Sequence, residues 1–242
     1  MITDMTEYDL RAEMSAPPRG RRRPDGPPAG VLATLALVFS IAGVLVPLAI
    51  AGTAFPTPPW SPDEVAAYVT GHPWAMTWAG VFAFAASVPL GIYAATVYAR
   101  LQRLGIRVPG PGIAFFGGIS ASVLLAASGL VTWALPKASG VPGEVAHLMT
   151  TVVFAFGGVG FVGGLGLLVA GIAVPGLILR LMPRWLAWTG LVLAALSEIS
   201  FLALLWSGFD VLLPVGRFVG LLWLAVVGFL LPHDRHEVPA RR

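Results

Sequence analysis

Glu198 and Arg217 lie inside long apolar runs near the end of this 242-residue chain. A charge at mid-bilayer costs roughly 2.5–3.5 kcal/mol on insertion scales, so it takes a partner or faces a wet cavity. The two runs meet at a tight turn near Gly208, with Glu198 ten residues before that glycine and Arg217 nine after it. On antiparallel helices these are depths of about 15 and 13.5 Å. The spacing predicts that the guanidinium donates to the carboxylate. Ala194, Ala195, Gly216 and Gly220 beside the pair would let the two helices approach closely. Asp210, two turns from Arg217, offers a second acceptor nearer the turn.

Other polar side chains gather at a similar level. Ser128 and Thr132 are one turn apart, Thr150 and Thr151 follow His147, and Ser197 and Ser200 flank Glu198. The set is read as the wall of a polar pocket, with Glu198 and Arg217 at its floor. The competing reading is a structural ion pair that fixes helix register, with each hydroxyl bonded to its own helix backbone. Of the other histidines, His72 falls in a loop and His233 and His236 in the terminal tail. No pair of histidines has a spacing suited to haem or to a metal inside a bundle, so His147 is read as a hydrogen-bonding residue at a helix end.

Familiar catalytic and nucleotide motifs are absent. The string Gly158-Val159-Gly160-Phe161-Val162-Gly163 matches a dinucleotide fingerprint but sits within an apolar run, with no acid downstream to hold a ribose. Its glycines read better as close-packing positions. Gly160, Gly164 and Gly166 mark a face for another helix, within the bundle or on a partner or second copy. With no cysteine in the chain, thiolate nucleophiles and disulfides are excluded. No nucleophile–base or metal constellation appears. The chain is therefore expected to be non-enzymatic, without cofactor or metal.

The elements that carry these residues follow from composition. Hydrophobic residues make up 57% of the chain and charged residues 11%, against roughly 25% charged in soluble domains; mean hydropathy is +0.82. A span needs about 20 apolar residues, and six runs qualify, at about 31–52, 75–100, 111–135, 147–173, 185–206 and 211–231. Residues 1–30 are polar and rich in Pro and Gly, and read as a disordered tail; residues 232–242 form a second tail. The A-x-A pattern at Ala49 and Ala51 raises a signal peptide, but the apolar run and its leader are too long for one. Pro89 should kink the second span, and Pro175 should end or bend the fourth. In the loop after the first span, Ser61, Pro62 and Glu64 predict a capped helix lying on the membrane or closing over the bundle.

Basic residues set the expected orientation. Thirteen arginines fall on the side of both termini, and Lys137 alone on the other. By the positive-inside rule both ends face the cytoplasm. The pI near 9.8 thus reflects threading rather than binding to nucleic acid. The strings MPRWLAWTG (182–190) and HPWAMTWAG (72–80) look alike, but their flanks do not align and the likeness is read as chance.

The strings MPRWLAWTGLVLAAL and LLPVGRFVGLLWLAVVGFLLP resemble the closing hairpin of uncharacterised six-span bacterial membrane proteins, grouped as domains of unknown function and common in actinobacteria. The resemblance covers the last 50 or so residues, and the rest in span layout only. It implies an all-α bundle of six transmembrane helices in the inner membrane and carries no activity. The leading functional reading is a non-enzymatic membrane component or regulator. The alternative is a small-solute or proton-linked transporter with an outward-facing polar pocket.

Overall fold

A chain in lipid must satisfy its backbone N–H and C=O groups internally, which an apolar run of spanning length does by becoming helical. The computed structural model describes residues 26–138 and 140–232. It is all-α, with seven helices, six of them long and apolar enough to cross a bilayer. These six are α1 (Ala29–Ala51), α3 (Pro73–Arg103), α4 (Gly110–Lys137), α5 (Gly143–Ile178), α6 (Arg184–Leu204) and α7 (Ser207–Leu230). The short α2 (Pro62–Gly71) joins α1 to α3. The expected tails at 1–25 and 233–242, with His233 and His236, lie outside the described residues.

Neither Pro89 nor Pro175 stops its helix. α3 runs through Pro89, and α5 continues past Pro175 to Ile178. At 36 residues, α5 is about 54 Å long. That exceeds a hydrocarbon thickness of about 30 Å, as a tilted helix would. α3 ends where Gly105 adopts a left-handed φ of 78°, a conformation a Cβ would strain.

Small residues decide which helices touch. Gly80 of α3 and Gly129 of α4 face each other's backbone so closely that an added Cβ would lie 2.6–2.7 Å from a carbonyl oxygen. Gly164 meets Ala121 and Gly117 in the same manner, joining α4 to α5. α1 packs against α3 and, through Gly30 and Gly228, against α7. α6 lies along α5. The helices thus form a closed circuit, from α1 through α3, α4 and α5 to α7 and back to α1.

One half of this circuit is solid. Leu90, Tyr93, Leu165, Leu168, Ile172 and Leu224 fill it, each essentially inaccessible. Three side chains bind α7 to its neighbours there. Tyr93 donates to the Leu224 carbonyl (3.1 Å), Trp223 donates to Leu186 O (2.8 Å), and Arg100 donates to Gly228 O and Leu231 O. The last carbonyls of a helix lack intrahelical donors, so a guanidinium there is both a cap and a complement to the helix dipole. Arg100, expected only as part of the positive side, is 2% exposed.

The opposite end is covered by α2. Its N-terminus is a formed capping box: the Ser61 amide donates to Glu64 Oε2 (2.8 Å), and the Glu64 amide donates to Ser61 Oγ (3.3 Å). Val65, Tyr68 and Val69 bury themselves against Met76, Leu135 and Ala146 of the spans. α2 therefore closes over the bundle.

Candidate functional site

In the half of the bundle nearer α2, the circuit of helices surrounds a partly open cavity of about 450 Å³, to which α2 itself contributes no lining residue. Five spans line it, and α6 is not among them. Its walls are chiefly apolar: Val44, Pro47 and Leu48 from α1, Ala79 and Ala83 from α3, Leu125 from α4, Val153 and Phe154 from α5, and Leu213 and Phe218 from α7. Residues 54–57, in the chain leaving α1, contribute to its rim.

Two π-helical turns border the cavity, Ala155–Gly160 in α5 and Val215–Val219 in α7. Such turns add width to a helix and recur at functional sites. At the first, Ser128 of α4 presses against Gly157, where a Cβ would collide with its side chain, and donates to the Val153 carbonyl (3.0 Å). An inserted side chain of this kind widens a helical ladder. The second turn carries Arg217.

The polar lining divides into spent and unspent groups. Thr132 donates to Ser128 O (2.8 Å), and Thr150 to His147 O (2.9 Å), so these hydroxyls serve the backbone, as Ser128 does. By contrast, Ser40 Oγ, Asp210 Oδ1 and Arg217 Nε are buried without a hydrogen-bond partner. All three residues line this cavity. Ser40 is 1% exposed, yet its hydroxyl does not return to its own helix. The Arg217 guanidinium carbon lies 5.1 Å from the Phe161 ring centroid and 5.9 Å from that of Phe218. Stacking on aromatic faces satisfies the flat side of a guanidinium and leaves its N–H edge open.

Among the expected pocket residues, the structure brings together Arg217, Asp210, Ser128, Thr132 and Thr150. The expected Glu198–Arg217 pair is not formed among the described residues. Glu198 is exposed, its carboxylate beside Gly166 of α5 and not among the residues that line the cavity. Between the two helices sits the buried Ser197, which approaches both Gly166 and Gly216. Equal depth does not ensure a shared face. The intervening chain contains 3₁₀ turns at Ser200–Leu204 and Ser207–Phe209 as well as the π turn, and each departs from 3.6 residues per turn and rotates the faces.

His147 and Thr151 do not line the cavity. The His147 ring nitrogen Nε2 lies 3.1 Å from the Pro58 carbonyl oxygen, and the Thr151 hydroxyl donates to His147 O. His147 thus ties down the chain that contributes to the rim. Gly160, Gly164 and Gly166, expected as a face for a helix of the bundle or of a partner, are occupied within the bundle by Leu124, Ala121 and Ser197. The sequence reading missed Ser40, a hydroxyl isolated in the most apolar part of the chain. That isolation was the available signal.

On the α2 side of the bundle, the Ser61 amide and hydroxyl both donate to the Glu64 carboxylate and hold it below its ordinary titration range. Burial pushes the Tyr68 phenol upward.

No protein-family model, curated protein or solved structure matches the chain. The six-span family suggested by the closing hairpin is thus not found. The supported description is a multi-pass arrangement of six candidate membrane helices.

Proposed function

We propose that the protein is a non-enzymatic component of a bacterial plasma membrane that binds a small solute in the cavity between the spans, with Arg217 as its electrostatic anchor. The observation that carries this reading is that three residues each holding an unpartnered buried polar atom, Ser40, Asp210 and Arg217, line one cavity. Buried polar groups are normally paired, and exceptions mark places where something else supplies the partner. The cavity volume falls within the range of roughly 300–1,000 Å³ typical of small-molecule sites. The arginine distribution supports placing both chain ends in the cytoplasm and the α2 end outside.

Transport is the second reading. One observation favours it: an open half nearer α2 abuts a half sealed by Tyr93, Leu165 and Leu224, as in one state of an alternating-access protein. Proton coupling through Glu198 has less support, since that carboxylate lies away from the cavity.

The test uses the full chain in nanodiscs, screened with a panel of small solutes by thermal shift, beside Gly158→Leu. A Cβ at Gly158 meets nothing closer than 3.5 Å, and Gly158 lines the cavity, so a leucine there takes up part of its space. A solute that stabilises the native chain and not the variant supports the reading. Equal responses of both proteins to every solute would refute it. Uptake of a binding solute into liposomes would favour transport over simple binding.

A further inference from the structure

We infer that the cavity takes an organic monoanion, a carboxylate with an apolar body and a hydrogen-bond donor at its far end; this rests on the solute-binding reading above.

The charge follows from the lining. Arg217 stands over Phe161 with its Nε unpartnered. A guanidinium so placed presents a planar fork that matches a carboxylate bidentately. Asp210 is a second charge on the same wall, and no Lys or His is among the residues that line it. The lining therefore sums to zero, and a dianion such as a phosphate monoester would meet one attraction and one repulsion. A monoanion held at Arg217 leaves Asp210 to accept a hydrogen bond.

The body follows from the walls. Ser128, Thr132 and Thr150 direct their hydroxyl protons at backbone carbonyls, and most of the remaining wall is hydrocarbon. A sugar or polyol would bury hydroxyls there without partners, each at a desolvation cost. An aliphatic or aromatic segment loses nothing.

The length follows from the helix. Asp210 precedes Arg217 by seven residues, at most about 10.5 Å, because the π turn at the end of the stretch rises less per residue than an α-helix. A carboxylate at Arg217 and a hydroxyl or ammonium at Asp210 would be separated by a body of about that length. Ser40, from α1, lines the same cavity and carries a hydroxyl without a partner.

Such a carboxylate could arrive from water or from the bilayer, and the probes separate the two sources. The nanodisc protein is titrated calorimetrically with octanoate, 8-hydroxyoctanoate, octanol, octylamine and octyl phosphate, and separately reconstituted with dodecanoate preloaded in the lipid. Octanoate is expected to bind, 8-hydroxyoctanoate several-fold more tightly, and octanol and octylamine at least tenfold more weakly. Asp210→Asn should reduce the advantage of the hydroxyl group, and Arg217→Gln should weaken octanoate at least tenfold. Arg217→Lys should recover part of that loss, which separates charge recognition from a folding defect. Binding of dodecanoate from the lipid, with none of octanoate from water, would keep the chemistry and assign the bilayer as source.

Octanol, octylamine or octyl phosphate binding as tightly as octanoate, and lost in Gly158→Leu, would overturn the carboxylate while leaving the cavity a solute site. Absence of cavity-dependent binding by every probe, with other solutes still binding, would overturn the carboxylate alone. If no solute of any class distinguishes Gly158→Leu from the native chain, both readings fall.

Discussion

The guanidinium of Arg217 stacks on the ring of Phe161, 5.1 Å from carbon to centroid. It does so in the middle of a span and without a carboxylate partner among the described residues. An arginine held this way is stored at a cost. Replacement by leucine is expected to stabilise the folded protein by about 1–3 kcal/mol, since an unsatisfied buried polar group disappears. Thermal unfolding of Arg217→Leu in detergent checks this. A lower melting temperature than the native chain would show that the guanidinium is structural.

Glu198 and Arg217 should behave independently. Glu198→Gln is expected to change stability by less than about 0.5 kcal/mol, and a double-mutant cycle with Arg217→Gln to show coupling below about 0.5 kcal/mol. A coupling of 1 kcal/mol or more would mean that the two side chains meet in solution.

The contact between Gly80 and Gly129 tolerates no side chain. Gly80→Ala places a Cβ 2.6 Å from the Gly129 carbonyl oxygen and from the Trp133 amide. It should destabilise by about 1–3 kcal/mol through overpacking. Gly163→Ala, where nothing lies within 4 Å, serves as the contrast and should leave the melting temperature essentially unchanged. Equal effects of the two would argue against the close α3–α4 packing.

The capping box makes α2 sensitive to acid. Glu64 titrates below its ordinary value of 4.5 in the fold because two Ser61 donors favour its charged form. Its contribution is therefore complete above 4.5 and is lost as pH falls through the lower, folded value. Hydrogen exchange across 62–71 should quicken in strong acid. Ser61→Ala should quicken it already at neutral pH and flatten the pH dependence. An unchanged profile in that variant would remove the box as the cause.

Much of this architecture was legible from residue order, for a plain reason. Six runs of spanning length admit only helices in lipid; depth along those helices placed Ser128, Thr132, Thr150 and Arg217 at a similar level and Asp210 nearer the turn, and all five line one cavity. Azimuth was not legible. Glu198 was assigned to the same site on depth, but the 3₁₀ and π turns around the α6–α7 hairpin change the rotation per residue, and no local pattern announced them. The close-packing face at Gly160, Gly164 and Gly166 was legible and is filled within the bundle, but small residues signal close approach without saying whose helix approaches. Ser40 and Arg100 were passed over because a lone hydroxyl and a helix-end arginine look ordinary until their neighbours are known.

The π turn at Val215–Val219 makes the register between Arg217 and Asp210 depend on local ladder geometry as well as on side-chain packing. Deleting one amino acid there would let the backbone relax to a regular spiral, because a π turn holds one residue more than the α turn it replaces. The segments on either side would keep their orientation, and only the residues of the turn itself, Arg217 among them, would face a new direction. A single codon lost could thus turn the arginine away while the rest of the pocket wall stays in place.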